Sequence, residues 1–237
     1  MNVLVYVPML RLYGKALQSI MRLEWDGRLD ITFVKGDDVQ TPRDKQARFE
    51  AVARKYEHGR QLALASDYDA MLCIEDDMIV PVDTVQRLAA VDADVVYGLY
   101  CWRNSGWHKW NAYTELSSDH GVSLSDDRQA AQAAWGQVVD VDGIGQGCTF
   151  VHRRVLARIT FHTYLKACSD WGLALDCKRL GFSQKCDLGV VCGHMTTDSF
   201  GEITPPLAPD VQMPPRIIWP DPDLDDVGRM YRVEYLA

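Results

Sequence analysis

The sequence has no C-x-x-C pair, no internal repeat, no low-complexity tract and no apolar run approaching the length of a membrane span. Basic residues are in the minority: 25 Lys and Arg stand against 33 Asp and Glu, a formal net charge of −8. That balance gives no support to a nucleic-acid partner. The opening apolar stretch, Asn2 to Val7, lacks a basic n-region and runs straight into Pro8. It reads as a first strand rather than a leader peptide. The seven cysteines (Cys73, Cys101, Cys148, Cys168, Cys177, Cys186 and Cys192) are odd in number, and several lie within apolar runs. Free thiols in a reducing cytoplasm are expected, since a buried thiol behaves as a small hydrophobe. The spacings from Cys168 to Cys192 fit no closed tetrahedral zinc motif. What is present is an ordinary globular composition, 47% hydrophobic and 24% charged over 237 residues. That is enough for one sizeable core.

The chain is organised around Asp69 to Val82. Ala70 to Ile74 is a short apolar run, the mark of a strand buried on both faces. It ends in three carboxylates, Glu75, Asp76 and Asp77, and Pro81 stops any further ladder. Three adjacent acids repel one another unless a cation sits among them, and Mg²⁺ or Mn²⁺ suits oxygen ligands. In extended backbone Glu75 and Asp77 point to one side and Asp76 to the other. The competing reading is a solvated acidic turn.

Strand and helix signals alternate through the first hundred residues. Strands are expected at Asn2 to Val7, Leu29 to Lys35, Ala70 to Ile74 and Asp94 to Tyr100. Helical spacing falls at Tyr13, Ala16, Leu17, Ile20 and Met21, in a long stretch to about Ser66, and within Asp83 to Ala90. Thr41 is the expected cap of the long helix with Pro42 behind it, and Gly59 the expected kink. This order predicts an α/β, Rossmann-like, doubly wound and mostly parallel sheet.

After Tyr100 the alternation stops. Ser117 to Asp127 reads as a flexible loop, and strands are expected at Gln137 to Val141, Cys148 to His152 and Leu188 to Cys192. Helices are expected from Val155 to Ile159 and from Asp170 to Leu180, the second closed by Gly181. The segment from Gly143 to Gly147 is no dinucleotide fingerprint, because no helix opens after it. Its glycines suggest close approach of backbone to a ligand. Seven of the ten prolines lie between Pro205 and Pro222. They exclude regular structure there and predict an extended arm, over 203–237, that packs on the body or on a second copy through Ile217, Ile218 and Trp219. The domain is therefore 1–202, with a nucleotide-binding half at 1–100 and an acceptor half at 101–202.

The order of these motifs resembles the glycosyltransferases of GT-A fold, in the group typified by the inverting family 2 enzymes. Four pieces carry it: the buried strand ending in Glu75, Asp76 and Asp77, where that family has its D-x-D; the glycine-rich stretch from Asp142 leading into Arg153 and Arg154; Ser169 and Asp170 opening a helix that ends at Gly181; and His194 after a strand. The chain departs from the family pattern at Glu75, which replaces the first aspartate, and at Ser169, which replaces a glutamate.

The resemblance implies a metal-dependent, hexosyltransferase-like enzyme that moves a sugar from a UDP- or GDP-sugar to an acceptor hydroxyl with inversion. It puts Mn²⁺ or Mg²⁺ on Asp77 and His194, with Glu75 or Asp76 on the metal or the donor ribose. Pro8 and Asp37 fall beside the nucleotide base, and Arg60 beside base or phosphate. Asp170 is the implied catalytic base. Trp102, Trp107, Trp110 and Trp171, with Gly145 and Gly147, form the implied sugar and acceptor wall, because aromatic faces stack on sugar rings. Two other readings remain: a sugar-1-phosphate nucleotidyltransferase, which would want a glycine-rich basic loop after the first strand, and a non-catalytic sugar- or nucleotide-binding module. The structural alternatives are a hydrogen-bonded His194, a solvated Arg60, turn chemistry at Asp37, core packing of the tryptophans and a helix cap at Asp170.

Overall fold

The computed structural model describes residues 1–10, 13–36, 44–102, 109–164, 168–195, 203–204 and 231–236; in the last two stretches only Arg232 and Glu234 have described side chains. The first half follows the expected alternation: β1 (Val3–Met9), α1 (Gly14–Met21), β2 (Leu29–Gly36), α2 (Lys45–Ala65), β3 (Ala70–Ile74), a short β4 (Met78–Ile79), α3 (Thr84–Ala90) and β5 (Val95–Leu99). The second half contributes β6 (Ala112–Leu116), β7 (Gly121–Ser123), α4 (Arg128–Ala134), β8 (Val138–Asp140), β9 (Gly143–Ile144), β10 (Cys148–His152), α5 (Arg153–Leu156) and α6 (Ser169–Leu180). β11 (Gln184–Val191), β12 (Gly193–Met195), β13 (Ile203–Thr204) and β14 (Tyr231–Leu236) complete it.

The central sheet has eight strands in the order β14-β2-β1-β3-β10-β5-β11-β8. All run parallel except β10, which is antiparallel to both β3 and β5, and β8, which is antiparallel to β11. This is the mixed α/β, mostly parallel architecture expected from the sequence. β1 and β3 are buried along almost their whole length, which explains their unbroken apolar runs. β2 and β3 lie on opposite sides of β1, so strand order reverses between β1 and β3. The carboxyl ends at such a reversal open a crevice where α/β sheets bind ligands.

Several expectations need correcting. Gly59 does not kink α2, which is continuous from Lys45 to Ala65. A Cβ at Gly59 would lie 2.8 Å from the ring of Tyr6, so the glycine lets the helix pack closely on β1. Asp44 caps α2 through the amide of Ala47; Thr41 and Pro42 lie outside the described residues. Within 117–127 a hairpin forms, with β7 paired to β6, followed by a 3-10 turn whose Ser123 and Asp126 make a reciprocal capping box. Polar side chains concealed that strand. β10, from the second half of the chain, lies between β3 and β5 of the first.

The expected arm starts and ends in sheets: β13 pairs with β12, and β14 pairs with β2. Glu234 of β14 meets His58 of α2 at 3.4 Å. Residues 205–230, including Ile217, Ile218 and Trp219, lie outside the described residues. All seven cysteines are free, and all but Cys168 are buried. No described helix is long and apolar enough to cross a membrane.

Candidate active site

The three acids do not stay in extended backbone. The chain turns after Ile74, with the amide of Met78 donating to the carbonyl of Glu75 at 3.0 Å. The side-chain alternation expected of a strand is lost, and the carboxylates meet three different partners. Glu75 Oε1 accepts from the hydroxyl of Tyr56 at 3.1 Å. Asp76 Oδ2 accepts from the amide of Leu10 at 2.6 Å, tying the end of β3 to the end of β1. Asp77 is 4% exposed, and its Oδ1 lies 3.8 Å from Nε2 of His194. Burial pushes the Tyr56 phenol well above its ordinary range and nearby Glu75 adds to the shift, so Tyr56 stays a donor.

His194 is placed by β12, which pairs with β4, while the amide of Met195 donates to the carbonyl of Asp77 at 2.9 Å. Its Nδ1 lies 2.7 Å from the carbonyl of Cys101. A carbonyl only accepts, so Nδ1 carries a proton, and in the neutral ring Nε2 presents its lone pair towards Asp77. The 3.8 Å separation is too long for a hydrogen bond. Two lone-pair donors thus face one space, 8% exposed at His194, and these are the residues here that could hold a cation. Among the described residues no group of three or more His, Cys, Asp or Glu side chains is placed to hold a metal.

The second feature is a cleft beside α6. It encloses a cavity of about 40 Å³ and is lined by Trp102, Asn111, Tyr113, Gly145, Asp170 and Trp171, among others. Trp102 is 47% exposed at its mouth. Trp171 packs on Tyr113 with ring centroids 5.7 Å apart, and its indole N–H donates to the carbonyl of Ser117 at 2.7 Å. Asp170 is not the helix cap: that position belongs to Cys168, which makes no side-chain cap bond. Asp170 lies in the first helical turn, where its Oδ1 accepts from the amide of Trp171 at 2.8 Å. Burial raises its carboxyl above the ordinary aspartate value, and hydrogen bonds from Cys168 and the Trp171 amide partly offset this.

The segment from Gly143 to Gly147 joins the two features. The carbonyl of Gly147 accepts from the amide of Glu75 at 3.1 Å, while Gly145 lines the Asp170 cleft. The glycines here admit protein neighbours. A Cβ at Gly145 would clash with Asn111 and the Tyr100 hydroxyl, and one at Gly147 with the Tyr100 ring and Met78. Tyr100 is the hub: its hydroxyl accepts from Asn111 Nδ2 at 2.7 Å and from the amide of Gly147 at 3.1 Å, and its ring packs edge-on against His194. Sequence reasoning passed over Tyr56, Tyr100 and Asn111. A tyrosine after an apolar strand carries no signal that separates a hub from core.

The remaining expected residues are dispersed. Pro8 is buried at the end of β1. Asp37 and Trp107 lie outside the described residues. Arg60 braces α2: its guanidinium grips Glu57 with two bonds, at 2.7 and 2.8 Å, and donates to the carbonyl of Leu156 at 2.9 Å. Trp110 is core, 1% exposed and packed on Trp135. Arg153 ends α2 by donating to the carbonyls of Ala63, Leu64, Ser66 and Tyr68.

No protein-family model matches the chain, and no curated protein matches it. Among solved structures it is similar to A197 from STIV, at 17% identity over 98% of this chain and 99% of that one, with a TM-score of 0.60. It is also similar to glucosyl-3-phosphoglycerate synthase from Mycobacterium tuberculosis, in complex with Mn²⁺, UDP and phosphoglyceric acid, at 14% identity over 82% and 71% of the two chains, TM-score 0.48. The inositol-1-phosphate CTP transferase from T. maritima matches at 10% identity over 85% and 92%, TM-score 0.46. The last two are too distant to decide anything about this chain. The first shows that the whole described architecture, from β1 to β14, is a fold found in another protein.

Proposed function

We propose that the protein is a metal-dependent glycosyltransferase of GT-A type, taking a UDP- or GDP-sugar and an acceptor with a free hydroxyl. One observation carries the reading. The glycine-rich segment touches an acidic strand terminus at the topological switch point through Gly147, and through Gly145 it lines a cleft that holds the half-buried carboxylate of Asp170. A group transfer between two substrates needs such a pair of adjoining sites.

Asp77 and His194 would hold the cation, Mn²⁺ or Mg²⁺, which would supply charge neutralisation on the leaving diphosphate. Glu75, fixed by Tyr56, faces the donor. Pro8 lines the base side of the crevice. The acceptor lies in the cleft between Trp102 and Trp171. Its hydroxyl oxygen attacks the sugar C1, the bond from C1 to the diphosphate oxygen breaks, and the hydroxyl proton passes to Asp170. Attack from the face opposite the leaving group inverts the anomeric centre. The raised affinity of Asp170 for a proton brings it closer to the working pH, which suits a general base.

A thermal-shift screen of nucleotide-sugars with and without Mn²⁺ tests the reading, because a true donor stabilises the fold by mass action. A cation-dependent rise in Tm for one nucleotide class is the expected result. No shift with any nucleotide-sugar contradicts it.

A further inference from the structure

The end of β1 is held in a way that the transfer reaction does not by itself require. The peptide joining Met9 to Leu10 is gripped at both poles. Its carbonyl oxygen accepts from Nζ of Lys55 at 3.1 Å, and its N–H donates to Oδ2 of Asp76 at 2.6 Å. An ammonium and a carboxylate thus complement the two ends of one peptide dipole, and bonds to ionised groups are the strong ones. Lys55 is 6% exposed, and no other described Lys or Arg is buried. A buried ammonium is costly unless it is hydrogen-bonded, as Lys55 is to the Met9 carbonyl. The backbone that carries it is fixed on β1: the Lys55 carbonyl accepts from the hydroxyl of Tyr6, and one turn later Gly59 lets α2 close against the Tyr6 ring. Leu10 itself is exposed. The clamped peptide therefore forms the rim of the crevice between β1 and β3.

We propose that Asp76 and Lys55 are positioning residues for the nucleotide: they act together, through the Met9–Leu10 peptide, to fix the crevice rim, and Asp76 is not a ligand of the cation. This rests on the nucleotide-binding reading given above. It divides the acidic triplet by task. Asp77 faces His194, Glu75 is held by Tyr56, and Asp76 is structural glue at the substrate's edge.

The test uses the full chain and three single variants, Asp76→Ala, Asp76→Asn and Lys55→Met, with the double variant of Asp76→Ala and Lys55→Met. Calorimetry with UDP and GDP at saturating Mn²⁺ gives nucleotide Kd, a Mn²⁺ titration gives its half-saturation, and hydrogen exchange reports the Leu10 amide. Asp76→Ala and Lys55→Met are each expected to weaken nucleotide binding about tenfold. The double variant is expected to be no weaker than the worse single one, because both act on one peptide. Leu10 exchange is expected to quicken at least about tenfold in Asp76→Ala and to recover in Asp76→Asn, which keeps an acceptor. With nucleotide held saturating, the Mn²⁺ half-saturation is expected to stay put in both Asp76 variants. A multiplicative loss in the double variant, a raised Mn²⁺ half-saturation, or unchanged Leu10 exchange overturns the proposal. Asp76→Asn alone still decides between glue and ligand if Asp76→Ala loses the fold, since only a cation ligand makes it demand more Mn²⁺. A wild-type protein that binds neither nucleotide defeats the nucleotide reading itself, a result distinct from binding that survives without the clamp.

Discussion

Carboxylates stand at both ends of the glycine-rich segment, in opposite surroundings. At the end of β3, Glu75 and Asp76 are met by donors, a tyrosine hydroxyl and a backbone amide, and Asp77 faces a histidine. Glu75 and Asp76 are hydrogen-bonded acceptors, while Asp77 faces the Nε2 lone pair of His194 across 3.8 Å. In the cleft, Asp170 stands among Trp102, Tyr113, Leu116 and Trp171, and burial lifts its proton affinity. In the proposed reading, one residue type is set to two tasks: fixed negative charge at one end, proton exchange at the other. The sharpest break in that comparison comes from Asp170→Asn, which keeps the shape and removes the proposed base. Turnover is expected to fall about 10²–10⁴-fold with donor binding retained, read by steady-state kinetics and calorimetry. Turnover near the wild-type rate places the base elsewhere.

Next in size is the aromatic wall. Trp102→Ala is expected to raise the acceptor KM about tenfold and leave nucleotide Kd unchanged. A matching loss in both means that the two ends are not separate sites. A smaller effect lies in stability. Because the fold raises the Asp170 pKa, it favours the protonated form. Stability is then greatest below the ordinary aspartate value and declines as pH rises through the raised one. Asp170→Asn is expected to gain in Tm on the wild type across that window, measured by scanning calorimetry at stepped pH. A constant difference contradicts the buried-carboxyl account.

The smallest effect concerns His162, on the segment leading into α6. Its pKa is raised first by the Thr163 carbonyl at 3.0 Å and also by Asp176 of α6 at 2.9 Å. This contribution is fully present below the ordinary histidine value and fades as pH rises through the folded one. His162→Gln is expected to lower Tm by about 1–2 °C near pH 5.5 and by less near pH 9, the pair being partly exposed. Equal losses at both pH values remove the charge from the explanation.

The strands of the first half were legible because burial on both faces leaves unbroken apolar runs, as from Val3 to Val7 and from Ala70 to Ile74. The antiparallel insertion of β10 between β3 and β5 was not, since it depends on pairing between residues far apart in sequence. In the site, the motif order drew attention to Asp170, Trp171 and Trp102, which the structure brings to one cleft, and to Asp77 and His194, which it sets face to face. The partners of Arg60 and Trp110 were not legible, for opposite reasons. A charged residue found its partner one turn away in Glu57, and an aromatic one stacked inside the core on Trp135. Neither contact leaves a mark in local pattern. Nor does the grip on the Met9–Leu10 peptide, whose two side chains lie 21 residues apart on different elements.

The division of labour between the two ends is tested most directly by titrating UDP and GDP with Mn²⁺ into wild type, Asp77→Ala and Asp170→Asn in one calorimetric series. The expected result is a split: Asp77→Ala loses at least about tenfold in nucleotide affinity, and Asp170→Asn binds like the wild type. Equal affinity in all three, or an equal loss in both variants, contradicts the account.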